Sequence, residues 1–504
     1  MMDSVPTDLT SPVLSVRDIT KRYGGVQALD GVSLDLLPGE VHCLAGENGC
    51  GKSTLIKVIS GVERPDGGHV IIDGEKHSRM NATDAITRGV QVIYQDFSLF
   101  PNLTVAENIV LTAEVASRQK LYRARMIRPR ARAIVDELQL DLDLDSEVGE
   151  LSVADKQLTA ICRALVNDAR VIIMDEPTTA LTHTEVTQLF ALVDRLRAKA
   201  VSVVFVSHKL EEVLAISQRV TIMRSGRVVT TGLVESFDRR SIAEHMTGRV
   251  LDESRDVAVL DENLAPRLEV SHLDLPGAFH DVSFAVRPGE IVGVTGLLGS
   301  GRTEIAEAIF GVRPAASGTI AVDGRVSSIR SIGDAVAAGI GYVPEDRLSQ
   351  GLFLEKPIAD NIIAASLDRH RNRWRALDRR RVTGTITRLF SSLSIKAPNP
   401  EAPVRSLSGG NAQRVVIAKW LATDPKVLIL NGPTVGVDVG SKAQILALLR
   451  AAAEQGMAII VISDDAPELV ACCHRILVVG QGRLKHELSG DEISAGAIQE
   501  RMAA

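Results

Sequence analysis

The chain has few aromatics, few cysteines and no long apolar run. Only 3% of its 504 residues are Phe, Trp or Tyr, so stacking platforms for nucleobases are scarce. Its five cysteines (Cys43, Cys50, Cys162, Cys472, Cys473) show no metal-ligand spacing, and their odd number suits reduced thiols. No stretch of about 18 uninterrupted apolar residues occurs, which excludes a membrane-spanning helix. The opening Met-Met-Asp-Ser-Val-Pro has neither the basic start nor the apolar core of a secretory signal. Net charge is −6, with no basic tail or block of like charge, so no nucleic-acid partner is expected. Hydrophobic residues make up 45% and charged residues 24%, ordinary for a globular chain. At this length one core does not suffice, and two cytosolic domains are expected.

What is present is a duplication. Gly46-Glu47-Asn48-Gly49-Cys50-Gly51-Lys52-Ser53-Thr54 has a counterpart in Gly296-Leu-Leu-Gly299-Ser-Gly301-Arg302-Thr303-Glu304. Lys52 to Arg302 and Gln95 to Glu345 share an offset of 250; Ser152 to Ser408, Asp175 to Asn431 and His208 to Asp464 share one of 256. A constant offset shifted once by a short insertion means a repeated domain. The expected boundaries are 13–248 for the first copy, a polar linker over 249–266, and 267–504 for the second. Short apolar strands are predicted at 41–45, 171–174, 201–206, 291–295, 427–430 and 459–462. Alternating with helices, they indicate a parallel sheet covered on both faces, an α/β fold. Residues 104–150 and 357–400 read as a helical insertion in each copy.

The first glycine loop fits G-x-x-x-x-G-K-[ST] between a strand and a helix. Its backbone N–H groups are placed to wrap phosphates, Lys52 supplies a point charge, and Ser53 offers a hydroxyl to Mg²⁺. Asp175, at the tip of an apolar strand, is the second candidate Mg²⁺ ligand, and Glu176 the general base that polarises the attacking water. Gln95 is placed to sense the metal and orient water, and His208 to bond the γ-phosphate. Cys50, beside Lys52 and a helix start, has two readings: a thiol with a lowered pKa, or, the one favoured, a small residue tolerated in the loop.

In that order these motifs resemble an ABC-type ATPase, twice over: tandem P-loop domains, each a mainly parallel sheet with an antiparallel β subdomain and a helical insertion. The resemblance implies head-to-tail domains in which each ATP is capped by the other domain's signature. The second copy keeps that motif, Leu407-Ser408-Gly409-Gly410-Asn411-Ala412-Gln413-Arg414. It implies nucleotide contacts from Ser408, Gly409, Gly410 and Gln413, and adenine stacking by Tyr23.

The complementary site departs from the pattern throughout. Arg302 replaces the lysine, Asn431-Gly432 the carboxylate pair, Glu345 the glutamine and Asp464 the histidine. Its partner signature, Leu151-Ser152-Val153-Ala154-Asp155, lacks both glycines. The reading is therefore one competent composite site and one degenerate site. Fusion, with Gly341-Tyr-Val-Pro-Glu345-Asp-Arg347 and Gly436-Val-Asp438-Val-Gly440, resembles the ATPase subunits of bacterial monosaccharide importers of the ribose, galactose and xylose type. That resemblance implies ATP and Mg²⁺, membrane permease partners fed by a periplasmic binding protein, and a place on the cytoplasmic face of the inner membrane. Import of nucleosides or of a sugar-derived signal stays open, as do a soluble tandem ATPase and a non-hydrolysing nucleotide sensor.

Overall fold

The computed structural model describes residues 11–116, 124–179, 181–248, 260–261 and 263–503. The chain divides into two compact units, Met1–Leu251 and Asp252–Ala504. Most of the expected linker, 249–259 and residue 262, lies outside the described residues.

Each unit holds two sheets. In the first, strands run in the order Arg227–Leu233, Arg219–Arg224, Val41–Gly46, Ser202–Ser207, Val171–Asp175, Val90–Ile93. All neighbours pair in parallel except the first two. The second unit repeats this order with Arg483–Ser489, Arg475–Gly480, Ile291–Thr295, Ala458–Ile462, Val427–Asn431 and Ile340–Val343. Beside each lies a four-stranded antiparallel sheet, led by Leu14–Tyr23 and Val26–Leu36 in one unit and by Leu268–Leu275 and Phe279–Val286 in the other.

The predicted apolar runs become these central strands because both of their faces are covered. Ile172, Met174, Val203 and Phe205 join one core, while Val171, Ile173, Val204 and Val206 join the core on the opposite face. Alternate residues point to opposite sides of a sheet, so a strand buried on both must be apolar throughout. The helix Lys52–Ile59 buries Leu55, Ile56, Val58 and Ile59, each at most 2% exposed. Full burial of such side chains is worth roughly 1.5–3 kcal/mol apiece, which pins the glycine loop before it.

The insertions are less helical than expected. The first contributes Val105–Ala116 and Ala124–Glu137, and residues 117–123 of the expected insertion lie outside the described residues. In the second, Ile358–Ile363 and Arg379–Ser392 are helical, but residues 371–378 form a hairpin closed by an Arg371–Leu377 bridge. Asn372 breaks the helix there by turning its side chain back onto the backbone N–H groups of Trp374 and Ala376.

Candidate nucleotide site

Parallel strands end together, and that is how the first unit assembles its site. Ala45 lies beside Ser207, Val206 beside Asp175, and Met174 beside Ile93. The glycine loop, Asp175-Glu176, His208 and Gln95 therefore all leave the same carboxyl edge of one sheet, where open α/β folds place their ligands.

In the loop, Gly51 sits at φ 109°, and a Cβ there would come within 2.6 Å of the Ala28 carbonyl. Only glycine lets the chain turn there and start a helix at Lys52, leaving first-turn N–H groups without intrahelical acceptors. The Lys52 ammonium is 5% exposed and donates to the carbonyls of Gly46 (2.7 Å) and Glu47 (3.0 Å). Ser53, Asn48 and Gly49 are exposed, and Thr54 is half-buried. Such a cradle suits an anion.

Asp175 is half-buried and makes no salt bridge among the described residues. Burial, and next the neighbouring Glu176, raise its carboxyl above the ordinary value. A carboxylate held dry with no cation partner fits a divalent ion, so the donor set suits Mg²⁺. Glu176 behaves oppositely. Its Oε1 lies 3.1 Å from His208 Nδ1, and that bond, opposed by burial, holds the carboxyl below its usual value. Glu176 also sits at φ 48°, unusual for a residue with a side chain, with its N–H donating to Val206. Backbone strain of this kind persists where the surroundings over-determine it.

One buried group that joins the site's segments escaped the sequence reading. Glu212 is 6% exposed and accepts from Thr178 Oγ1 (2.5 Å) and Ser207 Oγ (2.6 Å). It ties the segment after Glu176 to the segment before His208. Its counterpart Glu468 accepts from Ser463 in the same way (2.6 Å), and the 256-residue offset between two glutamates was the available signal.

Of the two readings of Cys50 the small-residue one fits: burial raises the thiol instead of lowering it, with Lys52 opposing only second. At 5% exposure Cys50 packs beneath the loop as a small apolar residue. Gln413 is 1% exposed inside the helix Gly409–Leu421, its side chain packed within the unit. Gln95 and Tyr23 stand on the surface; Tyr23 is 42% exposed, with Lys21 Nζ 5.3 Å from its ring centroid.

The second unit keeps the scaffold and alters the chemistry. Arg302 donates to the Gly296 carbonyl (2.8 Å) and reaches Asp464 (3.5 Å). Asn431 donates to Thr303 (3.3 Å), so the positions of the metal ligands bond one another. Beside them opens a cleft of about 350 Å³ lined by Thr303, Glu307, Tyr342, Glu345, Asp346 and Asn431. Three carboxylates there oppose phosphate. The two signature serines differ as well. Ser152 caps its helix by accepting from Asp155 N–H (3.1 Å), whereas Ser408 makes no cap bond and accepts only from Asn411 (2.9 Å). Gly409 and Gly410 are forced by crowding: a Cβ on Gly410 would lie 2.4 Å from Ser441 Oγ.

A strand, glycine loop and helix with a carboxylate pair on the neighbouring strand tip define a P-loop nucleotide hydrolase. Residues 29–179 and 279–435 match the ABC transporter family, and the chain belongs to it, as an ATP-binding, ABC-type ATPase with two such domains. It is 41% identical to the ribose import ATP-binding protein of Bacillus subtilis, over 97% of this chain and 98% of that protein. With that of Rubrobacter xylanophilus it shares 44% identity over 97% of each. A solved ATP-binding cassette of an ABC transporter, in its ADP conformation, is 28% identical with a TM-score of 0.41, covering 47% of this chain and 94% of that one. Among the described residues, no helix is long and apolar enough to cross a membrane.

Proposed function

We propose that this chain hydrolyses ATP to drive import of ribose or a closely similar monosaccharide through a membrane permease, from the cytoplasmic face of the inner membrane. The observation that carries this is identity above 40%, end to end, with ribose import ATP-binding proteins, joined to a complete hydrolytic set in the first unit.

The loop N–H groups and Lys52 hold the phosphates; Ser53, Asp175 and Gln95 would hold Mg²⁺, which when bound neutralises phosphate charge. Glu176, kept ionised by its bond to His208, accepts the proton of the attacking water. His208 steadies that carboxylate and is placed to meet the γ-phosphate. Ser408, Gly409 and Gly410 carry the signature that caps the γ-phosphate, Ser408 with a hydroxyl that does not cap the backbone of its helix. Tyr23 offers an exposed ring to adenine. The second unit's own phosphate site, with Arg302 drawn to Asp464 and no base, contributes structure instead of turnover. A periplasmic binding protein delivers the cargo to the permease, so the sugar is chosen elsewhere.

The test is uptake of labelled ribose in cells lacking this chain. Wild type restores uptake and Glu176→Gln does not. Normal ribose uptake without the chain, together with lost nucleoside uptake, would overturn the cargo assignment and keep the importer.

A further inference from the structure

Seven arginines fall between residues 369 and 381: Arg369, Arg371, Arg373, Arg375, Arg379, Arg380 and Arg381. Other residues, Asp378 among them, separate all but the last three, and the hairpin gathers them. Its base is fixed. His370 is 6% exposed and hydrogen-bonds Ser366 (3.3 Å), Asp378 N–H donates to His370 (2.8 Å), and Arg369 pairs with Asp424 (3.0 Å). Its tip is a built turn, in which Asn372 Oδ1 accepts from Trp374 and Ala376 and Arg375 takes φ 60°.

That turn presents Arg373-Trp374-Arg375 outward. Trp374 is 75% exposed, with the Arg373 guanidinium 4.9 Å from its ring centroid; Leu377 (49%) and Leu367 (38%) are exposed close by in the chain. Both acids in the segment are engaged, Asp368 by Arg371 and Asp378 by Arg381. Arg373, Arg375, Arg379 and Arg380 have no ion-pair partner among the described residues. Arg379, Arg380 and Arg381 also occupy the first turn of the helix Arg379–Ser392, the end where the macrodipole disfavours cations. An exposed tryptophan and three arginines at the wrong helix end each break a local rule, and such violations concentrate where function requires them.

We infer that this hairpin is a membrane-surface contact: the arginines take anionic lipid headgroups and Trp374 enters the headgroup boundary. Indole rings favour that boundary, and unpaired guanidinium groups near an anionic leaflet each strengthen binding. A nucleic acid would meet the same charge. It is disfavoured because only one aromatic stands on this hairpin and the chain as a whole carries net charge −6. In the first unit's helix Ala124–Glu137, Arg128 is paired with Asp145 (2.7 Å) and Arg132 with Asp136 (3.9 Å).

The test is co-sedimentation of the purified full chain with vesicles of phosphatidylcholine alone, or mixed with phosphatidylglycerol. No permease or cargo is present, so the result is independent of the transport reading. Binding is expected only to the anionic vesicles, and it falls as salt is raised. Replacing Arg373, Arg375, Arg379 and Arg380 together by Gln weakens it on the order of several hundred-fold, about five-fold for each cation. Should that variant fold poorly, Arg373→Gln with Arg375→Gln at the solvent-exposed tip weakens binding roughly 25-fold. The chain has two tryptophans and Trp420 is 8% exposed, so a vesicle-induced blue shift present in wild type disappears in Trp374→Phe. Equal binding to neutral vesicles, full binding by the arginine variants, or a blue shift that survives Trp374→Phe would each overturn the assignment. Displacement from anionic vesicles by a short RNA that binds through the same arginines would assign the hairpin to nucleic acid instead.

Discussion

Position 176 and its counterpart 432 adopt the same backbone, with φ 48° and 60°, and each N–H donates to the neighbouring strand, at Val206 and Ile462. In the first unit a glutamate is forced into this left-handed conformation; in the second a glycine occupies it freely. An L-residue there costs roughly 1–2 kcal/mol, which glycine avoids. The second unit therefore holds the relaxed version of a turn that the first keeps strained in order to carry a carboxylate. The metal position shows the same contrast. Asp175 is half-buried with no ion-pair partner among the described residues, whereas Asn431 donates to Thr303. One unit carries charge that a ligand must neutralise; the other has resolved those charges internally.

The largest expected effect falls on the base. Glu176→Gln lowers ATP turnover by about 10²–10⁴-fold while ATP binding survives, measured by phosphate release and nucleotide titration. Gly432→Ala leaves turnover near wild type but destabilises the fold by about 1–3 kcal/mol in denaturant melts, because its Cβ would meet Val435 Cγ2 at 2.9 Å. Equal turnover losses in the two variants would abolish the distinction between units.

The signature serines sharpen it next. Ser408→Arg is expected to cut turnover by about 10²-fold, in line with loss of one preorganised phosphate donor, with little change in melting temperature. Ser152→Arg should do the reverse: turnover within about twofold, and stability lower by about 1 kcal/mol through the lost helix cap. A Ser152→Arg variant that stops hydrolysis would show that both signatures cap working sites.

The carboxylates predict opposite pH signs. The folded Asp175 binds its proton more tightly than the unfolded chain does, so its burial is a penalty at neutral pH that lifts as pH falls through its raised value. Glu176 is depressed, so it contributes stability above its unfolded value, and that is lost as pH falls through its lower folded value. Asp175→Asn should therefore raise the melting temperature of nucleotide-free protein at pH 7 while lowering Mg²⁺-dependent turnover; a lower melting temperature would refute the unpaired-charge account.

The smallest effect is expected at Arg302. Its partner Asp464 is 68% exposed, so Arg302→Ala should change stability by no more than about 1 kcal/mol and turnover by less than twofold. Turnover lost as completely as in Lys52→Ala would restore the second loop to catalysis.

Much of this was legible in one dimension. Strands buried on both faces must be apolar throughout, so Val171–Asp175 and Ile291–Thr295 announced themselves, and the glycine loop is a local turn whose spacing is its geometry. The repeat supplied the rest of the order, including which copy had lost its carboxylates. Side-chain direction and burial were not legible. Cys50 and Gln413 sit within motifs, yet each faces inward, and a motif carries no record of which neighbours pack over it. Glu212 joins Thr178 and Ser207 because two strand ends lie side by side, and the arginines of 369–381 gather because Asn372 turns the chain. The sequence by itself determined the duplicated α/β architecture and the segregation of intact from altered motifs, because both rest on short-range pattern. Only the tertiary structure decided which carboxylate is strained, which is left without an ion-pair partner and which serine caps its helix. Those properties are set by distances between residues far apart in the chain.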